Sequence, residues 1–242
     1  MDSAMLPLLP RLNRIPPVLI RFSTQKRHLS RTTMMAGISD AIKRDHREIE
    51  DYYAKVLNST TDKEKTQWQN QFTWELARHS IGEELVVYPQ FEKLLPDGRS
   101  MADKDRKEHL SASFIDTSYS SLADCARQVK EQLKAFQNMQ PSNPQFAPTL
   151  KALMKDLSEH IKEEENEDLP KLEERLTAEE SDSLSTSFGK TKMFVPSRSH
   201  PSAPDKPPFE TVIGLMTAPI DHLADLFRTW PHTSGMPNPS TK

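Results

Sequence analysis

Four stretches of this chain carry an apolar trace with a histidine on it, and in three of them the spacing is a steady three or four residues. That spacing is one face of an α-helix. In "SDAIKRDHREIEDYYAKVL" the stripe runs Ile42, His46, Ile49 and Tyr53, with Ser39 or Asp40 as the expected N-cap. A second helix, about 62–95, aligns Trp68, Phe72, Leu76, His79, Glu83 and Val86 or Val87, and "LPDGRS" closes it. A third, about 101–138, carries His109, Phe114, Leu122, Val129, Leu133 and Phe136. A fourth, about 146–176, aligns Leu150, Leu153, Leu157, His160 and Glu164. Amphipathic helices of roughly 20–35 residues joined by short loops predict an all-α, up-down-up-down four-helix bundle over residues 37–178.

The rest of the chain is different in kind. Only 6 glycines stand against 19 prolines, and the prolines gather at the two ends and in linkers. Residues 1–36 hold Arg11, Arg14, Arg21, Lys26, Arg27 and Arg31 against the single acid Asp2. A basic, Ser/Thr-rich, acid-poor stretch has the composition of a mitochondrial transit peptide. The alternatives are a disordered basic tail, or translation starting at Met34 or Met35. The expected compartment is therefore the mitochondrial matrix, or the cytoplasm with the later start. Residues 179–242 read as an extended, Pro-rich arm with one or two short helices, since "MFVPSRSHPSAPDKPPFE" holds too many prolines for a regular helix. A net charge of −3 gives no electrostatic case for nucleic acid. A single Cys, Cys125, rules out an internal disulfide framework, and no apolar run reaches the roughly 20 residues of a membrane span.

The chemistry lies in a repeat. "HSIGEELVVYP" (79–89) and "HIKEEENEDLP" (160–170) each place a Glu four residues after a His, a second Glu five after, and a Pro ten after. Positions i and i+4 share a helix face, so imidazole and carboxylate can converge on one ion or a pair. His46 and His109 add one imidazole from each of the other two helices. Leaving four imidazoles with Glu83 and Glu164 in an apolar core without partners costs several kcal/mol, and a metal built between facing helices satisfies them all. Mixed imidazole and carboxylate suits Fe, Zn, Mn or Ni. Six ligands exceed one tetrahedral zinc; they suit two irons, Glu83 and Glu164 bridging and two histidines on each.

The set "DHREIEDYY", "HSIGEELVVYP", "EHLSASF" and "HIKEEENEDLP" resembles the hemerythrin-like, HHE cation-binding domain family, over about residues 38–176. The arm "VPSRSHPSAPDKPPFETVIGL" is similar to an extension of fungal members. The resemblance implies a bundle holding a non-haem, oxo- or hydroxo-bridged diiron centre that meets O2, peroxide or nitric oxide. In one respect the chain departs from the family's oxygen carriers, which place a second His four residues after the third-helix His; here that residue is Ser113. Four protein histidines in place of five leave a further open position, which favours reaction with or sensing of oxidants over reversible carriage.

Other residues are set aside. Glu84 and Glu165 are expected on solvated helix faces, as are Glu163, Glu167 and Asp168. Tyr53 and Tyr88 fit the core, and either is a candidate to hydrogen-bond a metal ligand. His28, His200, His222 and His232 lie in the tails and are not expected to bind iron. No Gly-rich phosphate loop, Ser-His-Asp set or CxxC is present, so no catalytic residues are assigned. The leading expectation is a diiron protein that binds or senses iron, O2 or reactive oxygen or nitrogen species. A diiron peroxidase or oxidase acting on a small substrate, and an interaction module with a structural metal, are the alternatives.

Overall fold

The computed structural model describes residues 37–110, 128–198, 209–232 and 237–239, with backbone alone at 107–110, 128–131 and 209–216. The expectations for residues 1–36, Phe114, Leu122, Cys125 and His200, and the side chain of His109, lie outside the described residues. Among those residues every regular element is helical, and the long helices pack as a bundle. None is long and apolar enough to cross a membrane.

The first helix, α1, spans Ile38–Asn58. Its N-cap is Gly37 rather than Ser39 or Asp40, because the cap comes from distant chain. The Ile38 N–H donates to Ser181 Oγ at 2.9 Å and the Ser39 N–H to Glu173 Oε1 at 3.1 Å, satisfying donors that a helix start leaves open. A Cβ at residue 37 would meet Ser181 Oγ at 2.6 Å, so glycine lets the two segments close. Helix α2, Asp62–Gly82, starts instead on a local capping box between Thr61 and Glu64.

The second and fourth bundle helices do not run on as regular α-helix. After α2 comes a π-helical turn, Glu83–Val87, and then α3, Tyr88–Leu94. After α6, Phe146–Glu163, comes a second π turn, Glu164–Asp168, and then α7, Leu169–Glu173. Tyr88 N–H bonds the carbonyl of Glu83 and Leu169 N–H that of Glu164, each five residues back. Pro89 and Pro170 follow at once. In an unbroken α-helix each proline ring would strike the carbonyl four residues before it, at Leu85 and Asn166. A turn with one extra residue moves those carbonyls aside and lets the helix continue. The repeated His–Glu–Pro spacing thus produces the same widened turn twice, each beginning on the motif glutamate.

Between them lie α4, Gly98–Leu110, and α5, Gln128–Gln137. α1 packs on α2 and α6, α4 on α3 and α6, and α5 on α2 and α6. The core is two apolar clusters. One joins Ile49, Val56, Phe72, Leu76, Phe136 and Leu153; the other joins Ile42, Val87, Tyr88, Phe91, Leu169 and Phe188. Fully burying each such side chain contributes about 1.5–3 kcal/mol. Between the two clusters lie polar residues: His46 on α1, His79 on α2 with Glu83 in the turn after it, and His160 on α6 with Glu164 in the turn after it.

Beyond the four helices, α8 spans Ala178–Thr191, opened by a Thr177–Glu180 capping box, and packs on α1 and the first π turn. α9 spans Phe209–Asp225. The arm lies along the outer face of α2, where Gln67, Asn70 and Gln71 donate side-chain amide protons to the carbonyls of Trp230, Thr229 and Pro237 at 2.9–3.1 Å. This explains why residues 69–79 are all buried although many are polar.

Candidate metal centre

The polar layer brings five of the six sequence-predicted residues together. His46, His79, Glu83 and Glu164 are 0% exposed and His160 5%. His79 and Glu83, one turn apart, approach to 3.0 Å (Nε2 to Oε1). His160 and Glu164 make the same i,i+4 approach at 3.9 Å. His46 faces both, its Nε2 lying 3.2 Å from Glu164 Oε2 and 4.0 Å from Glu83 Oε1. The imidazoles of His46 and His79 meet edge-on with ring centres 4.8 Å apart. Two donor groups result, His46–His79–Glu83 and Glu83–His160–Glu164, each with ligand atoms within 4.8 Å of one another. Glu83 belongs to both. His109 lies on α4.

The ring nitrogens pointing away from this cluster are held by carboxylates. His46 Nδ1 bonds Glu165 Oε1 at 2.8 Å, and His79 Nδ1 bonds Asp45 Oδ2 at 3.3 Å. Each carboxylate meets a cation in turn, Arg47 at Glu165 and Lys192 at Asp45. A carboxylate at Nδ1 fixes tautomer and ring orientation and leaves Nε2 to donate electrons inward, as in metal-bound histidines. Inside the layer Nε2 of His46 and His79 and both Glu164 oxygens are buried without a hydrogen bond. Buried polar atoms left this way cost free energy unless something pairs with them. An inner lining of imidazole nitrogens and carboxylates fits a metal cation. A third donor group, Asp45–Glu48–Glu75, has the Lys192 ammonium seated on Asp45 and Glu75.

Electrostatics follow the same geometry. Burial opposes charge on His79, but Glu83 and Asp45 outweigh it and push the imidazole up to about 10. Burial pulls the Asp45 and Glu165 carboxyls up; His79 with Lys192, and His46 with Arg47, outweigh it and hold both below their usual range. Burial drives the Tyr88 hydroxyl well above its ordinary value, with Glu83 adding to it.

Glu84 is 2% exposed and Asp168 5%, both buried against expectation; Asp168 stands four residues after Glu164 and eight after His160 on the same helix face, so its acidic neighbours, not its helical position, suggested exposure. Glu165 is no solvated-face residue but the partner of His46. Glu163 and Glu167 do face solvent, paired with Lys104 and Lys171. Asp45 and Lys192 were not singled out. Asp45 next to His46 carried a faint signal; Lys192, distant in sequence, carried none. His222 bonds the Val195 carbonyl at 3.0 Å within the arm and lies away from the centre's donor groups.

Comparison with known proteins agrees with this geometry. Residues 37–172 match the hemerythrin HHE cation-binding domain. A hemerythrin-like protein of Schizosaccharomyces pombe is 50% identical over 198 residues, 81% of this chain and 89% of that protein. A DNA nickase of Nostoc sp. is 21% identical over 162 residues, 67% of this chain but 41% of the nickase. No solved structure matches. With its buried His/Glu clusters and a family match over more than half its length, the chain belongs to the hemerythrin HHE cation-binding domain family.

Proposed function

We propose that His46, His79, Glu83, His160 and Glu164, together with His109, hold a pair of iron ions, and that this centre binds or senses O2 or reactive oxygen or nitrogen species. The observation that carries the reading is the sharing of Glu83 between two buried donor groups, with Glu164 reaching from His160 to His46. A carboxylate common to two groups is what a bridging ligand requires. A pair of bound irons would supply the redox chemistry toward such small oxidants. The chain's own part is to bind, orient and keep dry. Asp45 and Glu165 hold the rings of His79 and His46 in register. The two apolar clusters close the layer from either side and keep bulk water out, which strengthens every charge interaction within it.

Elemental analysis per chain on protein purified from iron-supplied cells tests the reading. Two donor groups lead to an expectation of about two irons per chain, falling steeply in Glu83→Ala. A single zinc, or no bound metal, would overturn it.

A further inference from the structure

Two imidazoles of the layer are each held by a carboxylate that is itself held by a cation, but the two supports differ in origin. The His46 support, Glu165 with Arg47, lies within the family-matched residues, and the Arg47 side chain is 55% exposed. The His79 support ends on Lys192, outside the match, and its side chain is only 10% exposed. Lys192 is the C-cap residue of α8 and seats its ammonium on both Asp45 and Glu75. Arg78, one residue before His79, donates to the Lys192 carbonyl at 3.2 Å and to Glu75 at 2.9 Å, gripping this end of α8. One turn earlier Phe188 lies edge-on to the His79 ring, centres 6.0 Å apart at 90°. Gly82 makes room for it, since a Cβ there would meet the Phe188 ring at 2.8 Å.

We propose that Lys192 is a positioning residue of the metal centre, so that α8 and the turn after it complete the site rather than decorate it. This rests on the metal-binding reading above. Lys192 does not touch the donor layer; it acts through Asp45. Asp45 and Glu75 belong to one tight acidic group. With the ammonium between them both stay in place, and Asp45 stays within reach of His79 Nδ1. Without it the two buried carboxylates repel, Asp45 swings off, and the His79 ring loses the bond that aims Nε2 inward. The half-site containing His79 loosens, while the Glu165–Arg47 support of His46 does not depend on Lys192.

Metal-free full-length chain is titrated with Co2+, followed by visible absorption and calorimetry, as wild type, Lys192→Met, Lys192→Arg, Asp45→Asn and the Met/Asn double variant. The wild type takes two ions. In Lys192→Met one ion binds as before and the other about 10–100-fold more weakly, the usual effect of removing an outer support. Asp45→Asn behaves likewise and the double variant is no worse than either, because both changes cut one relay. Lys192→Arg, which keeps the cation, lies closer to wild type. Unchanged affinity and spectrum in Lys192→Met, equal weakening of both ions with loss of helical circular dichroism, or an Arg variant as weak as the Met one would each overturn the proposal. A wild type that takes no ion overturns the metal reading itself, and this inference with it.

Discussion

Glu164 is held at a cost to the metal-free fold, and replacing it should stabilise that fold while destroying the metal site. Its carboxylate is fully buried, neither oxygen makes a hydrogen bond, and the nearest partners are imidazole nitrogens at 3.2 and 3.9 Å. Methionine has a similar length and adapts to irregular space. Replacing a buried polar group that makes no hydrogen bond by apolar atoms of similar shape recovers its desolvation penalty, about 1–3 kcal/mol. At roughly 2–4 °C per kcal/mol for a chain of this size, metal-free Glu164→Met should melt roughly 2–12 °C above metal-free wild type. Iron reverses the order. Wild type gains about 4 kcal/mol when free metal exceeds its dissociation constant a thousandfold, whereas the variant lacks the reaching carboxylate and gains little. Differential scanning calorimetry with and without iron reads both limbs. If metal-free Glu164→Met melts below metal-free wild type, Glu164 supports the fold through its own contacts, and the reasoning fails.

Other consequences are as direct. In the metal-free protein His79 is raised from 6.5 to about 10, so its contribution to stability is fully present below pH 6.5 and is lost as pH rises through about 10. Unfolding free energy measured from neutral pH upward should fall over that window while metal affinity rises, since binding must expel the same proton. Gly82→Ala places a methyl 2.8 Å from the Phe188 ring and should lower stability by about 1–3 kcal/mol, with Phe188→Leu restoring much of it in chemical denaturation. Thr177→Ala removes the α8 capping box, worth about 0.5–2 kcal/mol, and hydrogen exchange should quicken in residues 178–191 but not in α2.

Much of the molecule was legible in the sequence because its signals are local. Apolar periodicity identified the helices, and the i,i+4 pairs His79–Glu83 and His160–Glu164 approach as their spacing requires. The recurring proline is legible in the sequence, but only the hydrogen-bond pattern shows that Pro89 and Pro170 each follow a π turn that begins on the motif glutamate. Asp168, surface-like by its acidic neighbours, falls four residues after Glu164 on the same helix face and is buried.

What sequence alone determined is which face of each helix is apolar and which histidines and glutamates interrupt it, since both follow from a helix's own period. What tertiary structure alone decided is who stands behind those residues. Asp45 reaches His79, Glu165 reaches His46, and Lys192 comes back from α8 to hold Asp45, across separations of 34, 119 and 147 residues. Each pairing depends on how far one helix is rotated and shifted against another. That is set by the close packing of the two apolar clusters and the docking of α8, and no period within a single helix encodes it.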